Sequence, residues 1–172
     1  MLTNQRVVLS EKGQRIIKAI NDYNNFKDIF TEFKQGVEEQ HKDDCLIDQR
    51  SSDVVIQFST PFDSIILIKF SMVFASGNKT FGRVLFERLV NDRRNEEKNE
   101  HIWELYFDQE RMLREHILDK EPLDYLFARG NCEQLLADLL DRFLQLPCFQ
   151  APIKLSGEQK ESANKEKTLD TV

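Results

Sequence analysis

The most constraining feature of this sequence is a stripe of apolar residues that recurs at helical spacing near its amino terminus. The stripe advances in steps of three or four residues, the spacing of one face of an α-helix. Ser10 precedes it and can cap the helix through its side-chain oxygen. The pattern therefore predicts one long helix, or two helices interrupted at Asn24 and Asn25, because Asn is a poor helix-interior residue. The members of the stripe are Ile16, Ile20, Tyr23, Phe26, Phe30, Phe33 and Val37.

The hydrophobic period then changes from helical to alternating. Residues 54–60 are rich in β-formers, and residues 65–74 alternate so that one face is wholly apolar, as in a strand with one face on a core. Residues 81–92 also fit a helical stripe, but Gly82 and the neighbouring strands favour a strand. Residues 101–108 alternate again. The last two segments, joined by a charged loop, predict a β-hairpin.

Helical spacing returns in the carboxyl-terminal part of the chain. It predicts short helices over residues 112–117 and 122–127 and a strongly apolar helix over residues 132–146. The last residues are too polar to offset the chain entropy lost on folding. We therefore expect a single α+β domain over residues 1–150 and a disordered polar tail over residues 151–172. The expected architecture is an antiparallel sheet of three to four strands, flanked by a long N-terminal helix and C-terminal helices.

The composition argues against several classes of function. The net charge of −6 gives a surface that repels nucleic acids and anionic lipid. The apolar-rich stretch near residues 65–75 is far shorter than the roughly 20 residues that span a bilayer. Three widely spaced cysteines without a CxxC motif, Cys45, Cys132 and Cys148, predict free thiols rather than disulfides or a structural zinc site. We expect a cytoplasmic protein that binds neither membrane nor nucleic acid.

The segment from Ser76 to Thr80 follows an apolar strand and contains Lys-Thr, as a nucleotide-binding P-loop does. A P-loop also requires Gly at its first position and directly before the Lys, and these positions hold Val73 and Asn78. A β-branched valine does not easily turn its backbone amides towards a phosphate. The segment instead predicts a hairpin turn in which Gly77 and Asn78 adopt positive φ.

No complete catalytic constellation is present in the sequence. Cys132 lies at the start of a predicted helix, where the helix dipole lowers a thiol pKa, but no motif links it to a His or Asn. His41 lies near carboxylates and Cys45 without the spacing of a metal site. His101 and His116 lack an identifiable nucleophile. The sequence therefore predicts a protein that is not an enzyme, with no catalytic residue, no metal and no cofactor.

The remaining features favour a regulatory protein that binds another protein. We expect a non-enzymatic adaptor, inhibitor, immunity-type or chaperone-type factor, which uses an acidic surface and an amphipathic helix to bind a partner with a basic patch. The helix stripe must be buried somewhere, either in the core of the chain, against the partner or in a homodimer. The predicted partner-binding residues are Phe26, Phe30, Phe33, Glu38, Glu39, Asp43 and Asp44.

A carrier of a small apolar ligand is the alternative. An antiparallel sheet that curves around an apolar helix can leave a cavity, and an apolar lining with few polar groups is the usual composition of a ligand pocket. The residues predicted to line this pocket are Phe58, Phe70, Phe74, Trp103 and Phe107.

Overall fold

The computed structural model describes residues 10–40, 52–60, 64–91 and 97–148. A long helix, α1 (Glu11–Gln40), precedes the sheet, and a shorter helix, α2 (Cys132–Leu144), follows it. Between them a five-stranded antiparallel sheet has the strand order β1-β2-β3-β4-β5, so that neighbours in sequence are neighbours in the sheet. The strands are β1 (Val55–Ser59), β2 (Ile65–Ala75), β3 (Lys79–Asn91), β4 (Glu97–Phe107) and β5 (Leu113–Arg114).

Helix α1 is continuous, which resolves the two alternatives that the sequence allowed. Ser10 begins it as predicted, because its Oγ accepts a hydrogen bond from the amide of Gly13 at 3.3 Å. The helix passes through Asn24 and Asn25 without a break, and both of these side chains are exposed. The pair of Asn residues weakens the local helix preference, but burial of the adjacent Phe26 favours helix on both sides of it.

The core lies between one face of the sheet and the two helices. The alternation predicted for β2 and β4 is confirmed, because Ile66, Ile68, Trp103 and Leu105 are all buried on that face. Aromatic rings fill the centre: the Phe107 ring stacks on Phe127 with centroids 4.6 Å apart. The other buried aromatic side chains are Phe26, Phe30, Phe33, Phe58, Phe70, Phe86 and Phe143. Such a core holds the second half of α1 firmly on the sheet.

The α+β class is confirmed, but the sheet has five strands rather than the three to four expected. The segment predicted as helix 112–117 instead contains β5, in which Leu113 pairs with Phe107 and is fully buried. The segment 122–127 is also not helical. The amides of Leu123 and Phe127 donate across to the carbonyls of Leu113 and Arg111, both at 2.8 Å, rather than within a helix of their own.

The segment 81–92 fitted two patterns; its residues 81–91 belong to β3 as predicted, residue 92 lies outside the described residues, and β3 forms the expected hairpin with β4. The turn between β2 and β3 is also confirmed, since Gly77 and Asn78 have φ of 75° and 59°. Both values lie in the left-handed region that Gly and Asn tolerate best. Among the described residues, no helix has the length and apolarity that crossing a membrane would require.

Candidate functional site

The three phenylalanines predicted to contact a partner lie in the core of the chain itself. Phe26, Phe30 and Phe33 are completely buried. Phe30 stacks on Phe70 of β2 at 5.5 Å, and Phe33 stacks on Phe127 at 4.5 Å. Of the alternatives given for the stripe, burial in the core of the chain is therefore the one that holds for this part of it. These three side chains present no surface to a partner.

The predicted acidic surface is partly neutralised by the chain. Glu38 lies 3.8 Å from Lys34, one turn earlier in α1. Glu39 binds the guanidinium of Arg129, whose Nε donates to Oε2 at 3.0 Å. Both carboxylates are exposed, but each already has a cationic neighbour, which weakens its attraction for a basic partner. Asp43 and Asp44, like His41, Cys45 and the tail 151–172, lie outside the described residues.

The residues predicted to line a ligand pocket do not share one environment. Phe58, Phe70, Trp103 and Phe107 are buried among other core side chains, whereas Phe74 is 67% exposed at the end of β2. Rings of the core are in direct contact, as for Phe70 and Phe107 with centroids 6.4 Å apart. The position of Phe74 directs attention to the end of the sheet where β2 turns into β3.

At this end of the sheet, the first half of α1 extends with most of its surface in solvent. Asp22 is the only buried residue among residues 11–25, whereas the second half of the helix is anchored by the core. Large apolar side chains are nevertheless exposed here. We call these residues and Phe74 the apolar patch; they are Ile16, Ile17, Ile20, Tyr23 and Phe74.

The members of the apolar patch come from one side of α1 and from the adjacent strand. Positions 16, 20 and 23 follow helical spacing, and Tyr23 contacts Phe70 of β2 with centroids 5.7 Å apart. Phe74 is the cross-strand partner of Thr80, whose hydroxyl reaches α1. Because directly paired residues project to the same face, Phe74 lies on the helix side of the sheet. The patch therefore follows the β2 side of α1.

Asp22 fixes the first half of α1 in this position. Its carboxylate accepts a hydrogen bond from Thr80 Oγ1 at 2.7 Å and a second from Gln109 Nε2 at 3.0 Å. The side chain is 5% exposed, so each bond replaces water that the carboxylate lost on burial. One buried carboxylate thus ties α1 to the start of β3 and to the turn after β4.

An open cleft of about 570 Å³ lies on the other side of the helix, between α1, the β2–β3 turn and the segment after β4. Its acidic groups are engaged: Asp108 binds Arg114 at 2.8 Å, and Asp119 accepts the amide of His116 at 2.7 Å. Glu110 is the one carboxylate of the cleft that accepts no hydrogen bond and forms no ion pair among the described residues, and it is exposed. The lining residues are Lys18, Asp22, Gly77, Asn78, Lys79, Thr80, Phe81, Asp108, Gln109, Glu110, Arg114, Ile117 and Asp119.

This end of the molecule carries cations that have no ionic partner in the part of the chain described. Four cations of this end form no ion pair there, namely Lys12, Arg15, Lys18 and Lys79. Every described arginine other than Arg15 does form one. Lys12 and Arg15 lie on α1 near the apolar patch, whereas Lys18 and Lys79 line the cleft on the other side of the helix. Residues 11–25 carry three cations against Glu11 and the buried Asp22, which is a small local excess of positive charge in a chain of net charge −6. Apolar surface with a charged border is typical of a protein-binding site.

The sequence pattern assigned Ile16, Ile20 and Tyr23 to the same helix face as the core phenylalanines, and it assigned Phe74 to a ligand pocket. It did not group Lys12 and Arg15 of α1 with Lys79, because Lys79 belongs to another element. Asp22 also gave no signal: it precedes Phe26 by one helical turn and shares its buried face, but an acidic residue is ordinarily solvated.

Cys132, the candidate nucleophile, is completely buried under α1. Its Sγ lies 3.3 Å from the carbonyl of Phe33, and burial raises the pKa of the thiol to about 11. The dipole at the start of α2 does not lower the pKa of Cys132 enough to offset this effect of burial. Iodoacetamide near neutral pH should therefore label Cys148, which is exposed, and leave Cys132 unmodified. Peptide mass mapping checks this. In urea both thiols should react; equal labelling of the two in the native protein would contradict the expectation.

The described histidines do not meet a nucleophile. His101 Nε2 lies 3.9 Å from Glu104, on the sheet face opposite the core, and His116 is exposed after β5. Glu104 also accepts hydrogen bonds from Arg83 and Tyr106 there, and these donors lower its pKa against the opposing effect of burial. Among the described residues, no group of three or more His, Cys, Asp or Glu is placed to hold a metal ion.

Comparison of the chain with models of protein families, with curated proteins and with solved structures gave no match in any of the three.

Proposed function

We propose that this protein is a non-enzymatic protein-binding factor, and that its docking surface is the apolar patch at the free end of α1. The observation that carries the proposal is the exposure of Ile16 and Ile20, at 52% and 53%, on the part of α1 that lies at the same end of the sheet as the exposed Phe74. Most large apolar side chains among the described residues are buried or partly buried, so a group of them left in solvent at one place favours a function for that place.

The border of the patch indicates the chemistry of the partner. Lys12 and Arg15, on the same part of α1, lack an ionic partner among the described residues, so a partner with carboxylates beside an apolar centre complements this surface. This proposal differs from the basic partner expected from the sequence, because Glu38 and Glu39 already have cationic neighbours. Association of this kind is fastest at low salt, since salt screens exposed charges.

The double substitution Ile16→Gln/Ile20→Gln tests the proposal. Gln has a helix propensity at least as high as that of Ile, so α1 and the core should be unaffected. Affinity capture from a lysate of the source organism, with the tagged full chain as bait, should yield a stoichiometric partner. The double variant should retain about tenfold less of it, because central apolar residues dominate binding energy.

Leu126→Gln is the matched control, since Leu126 is also exposed, at 40%, but lies outside the patch. It should retain the partner as well as the unaltered chain does. Equal capture by the double variant would contradict the proposed surface. Cosedimentation of the chain with phosphatidylserine vesicles, abolished in the double variant, would also contradict it, by assigning the patch to a membrane surface.

A further inference from the structure

Next to the apolar patch, part of one edge of β2 has no partner strand among the described residues. β1 pairs with β2 only as far as Lys69, and the amide of Phe70 makes the last hydrogen bond on that side, to the carbonyl of Val54 at 2.8 Å. β2 itself continues through residues 71–75. In the described part of the chain no strand pairs with these residues on the β1 side, and we call this the open edge.

The open edge presents main-chain hydrogen-bonding groups in a regular row. The amide and carbonyl directions of a strand alternate from residue to residue. Since the amide of Phe70 points to the β1 side, those of Met72 and Phe74 do so as well, and those of Ser71 and Val73 point towards β3. Met72 and Phe74 therefore offer N–H and C=O groups to a further strand. Natural proteins usually shorten, charge or cover such an edge.

We propose that the open edge binds an extended, acidic segment of the partner protein by strand addition. This inference rests on the proposed function and names how the partner binds. The added strand continues the sheet beyond β2, where β1 has ended. Its alternate side chains on the helix side contact Phe74 and the stripe of Ile16, Ile20 and Tyr23, so they are apolar. Main-chain bonds supply affinity and the apolar contacts supply selectivity, as in other complexes formed by strand addition.

Charge identifies the segment as acidic and as belonging to a different protein. Lys79 is the cross-strand neighbour of Ala75, the last residue of the open edge. Lys12 precedes Ile16 by one helical turn and lies on the same side of α1. Because β2 lies between Lys79 and the open edge, Lys12 is the nearer cation and Lys79 acts only at longer range. A second copy of the chain would carry the same cations, which repel each other, whereas carboxylates beside the apolar positions of the added strand would be attracted to them.

Selection from a phage-displayed library of short random peptides, with the full chain immobilised, provides the probe. We expect enriched peptides with apolar residues at alternate positions and Asp or Glu beside them. An enriched peptide is then synthesised and its affinity measured for the unaltered chain, for Met72→Pro and for Met72→Leu. Pro removes the outward amide and is tolerated at a strand edge, whereas Leu keeps the amide and a similar apolar volume.

Met72→Pro should bind the peptide about tenfold or more weakly than the unaltered chain, and Met72→Leu within about twofold of it. Amide hydrogen exchange of the unaltered chain gives a second readout that requires no variant. The bound peptide should slow exchange at Met72 and Phe74, while the amide of Val73, directed to β3, is already protected in the free chain. This alternation distinguishes strand addition from a contact that merely covers the surface.

Three results would overturn the inference: no enriched peptide, equal affinity of Met72→Pro and the unaltered chain, or unchanged exchange at Met72 and Phe74. If binding then still depends on Ile16 and Ile20, strand addition fails and the proposed docking surface remains. If it depends on neither, both fail. Protection of the edge amides in the free chain, together with a dimer by light scattering, would assign the edge to a second copy and overturn the acidic partner.

Discussion

Replacing Gly82 with Ala is expected to lower the free energy of unfolding by about 3 kcal/mol, which is the upper part of the usual range for overpacking a core. A Cβ at this position would lie 2.2 Å from Cζ and 2.4 Å from Cε1 of Phe107, its cross-strand partner. Such distances are far below van der Waals contact, so the ring or the strand must move. The absence of a side chain at Gly82 is therefore what allows the Phe107 ring to lie over β3.

The Phe107 ring has little freedom to move away from the new methyl group. It stacks on Phe127, meets Phe26 edge to face at 5.5 Å and is completely buried. Protein interiors are packed as densely as organic crystals, so a displaced ring displaces its neighbours as well. The predicted loss is a large fraction of the stability of a marginally stable domain, so a reduced urea midpoint should be readily measured.

Gly130→Ala is the matched control, because a Cβ there meets no atom within 4 Å. Its urea midpoint should be close to that of the unaltered chain. A double-mutant cycle with Phe107→Leu identifies the cause of the loss. Phe107→Leu should cost less in the Gly82→Ala variant than in the unaltered chain, since the smaller side chain relieves the clash. Strict additivity of the two substitutions would show that the cost at position 82 has another origin.

Much of the architecture was accessible from the sequence because its hydrophobic periods are distinct. Alternation in β2 and β4 and the helical spacing of α1 and α2 each identified an element with its buried face. The short strand β5 was not accessible. Leu113 and Arg114 have no periodic signal of their own, and their conformation depends on pairing with Phe107 and Tyr106. Tertiary pairing therefore overrode a weak helical pattern.

The sequence contains a clue to the exposed apolar patch that the single-face interpretation overlooked. Residues of a helix are about 100° apart, so each step of three residues falls about 60° short of a full turn. Two such steps follow each other between Ile20 and Phe26, through Tyr23. They turn the stripe by roughly 120°, so Ile20 cannot face the sheet that buries Phe26. The open edge had no such clue, because it depends on where β1 ends against β2.

The acidic residues that set the overall charge of this protein and its exposed apolar patch therefore lie at different places. Overall charge suggested a basic partner, but many individual carboxylates already have a cationic neighbour within the fold. Lys69 lies 2.5 Å from Glu87 on the outer face of the sheet, and Arg83 lies 2.6 Å from Glu104 beside it. What a partner meets at the end of α1 is the local excess of cations around Ile16 and Phe74. Net charge informs solubility and long-range attraction, whereas the site depends on which charges remain unpaired.

Phe30→Ala provides the sharpest distinction between a core helix and a docking helix, with an expected loss of about 3–5 kcal/mol in the free energy of unfolding. Phe30 is completely buried, and its ring lies 5.5 Å from Phe70 and 6.4 Å from Phe127 between centroids. Its removal leaves a cavity between α1 and the sheet, because neighbouring rings cannot collapse into the space without leaving their own contacts. Urea denaturation followed by circular dichroism measures the loss.

Phe74→Ala is the natural counterpart, since it deletes the same side chain from a site that is 67% exposed. Its stability should change by less than about 0.5 kcal/mol, as for most surface substitutions. Its binding to a partner or enriched peptide should nevertheless weaken, because Phe74 borders both the apolar patch and the open edge. If Phe30→Ala instead kept full stability and lost binding, the stripe from Phe26 to Phe33 would be the docking face after all. The opposite behaviour of two phenylalanines would locate folding in the second half of α1 and recognition in the first half and at the adjacent end of β2.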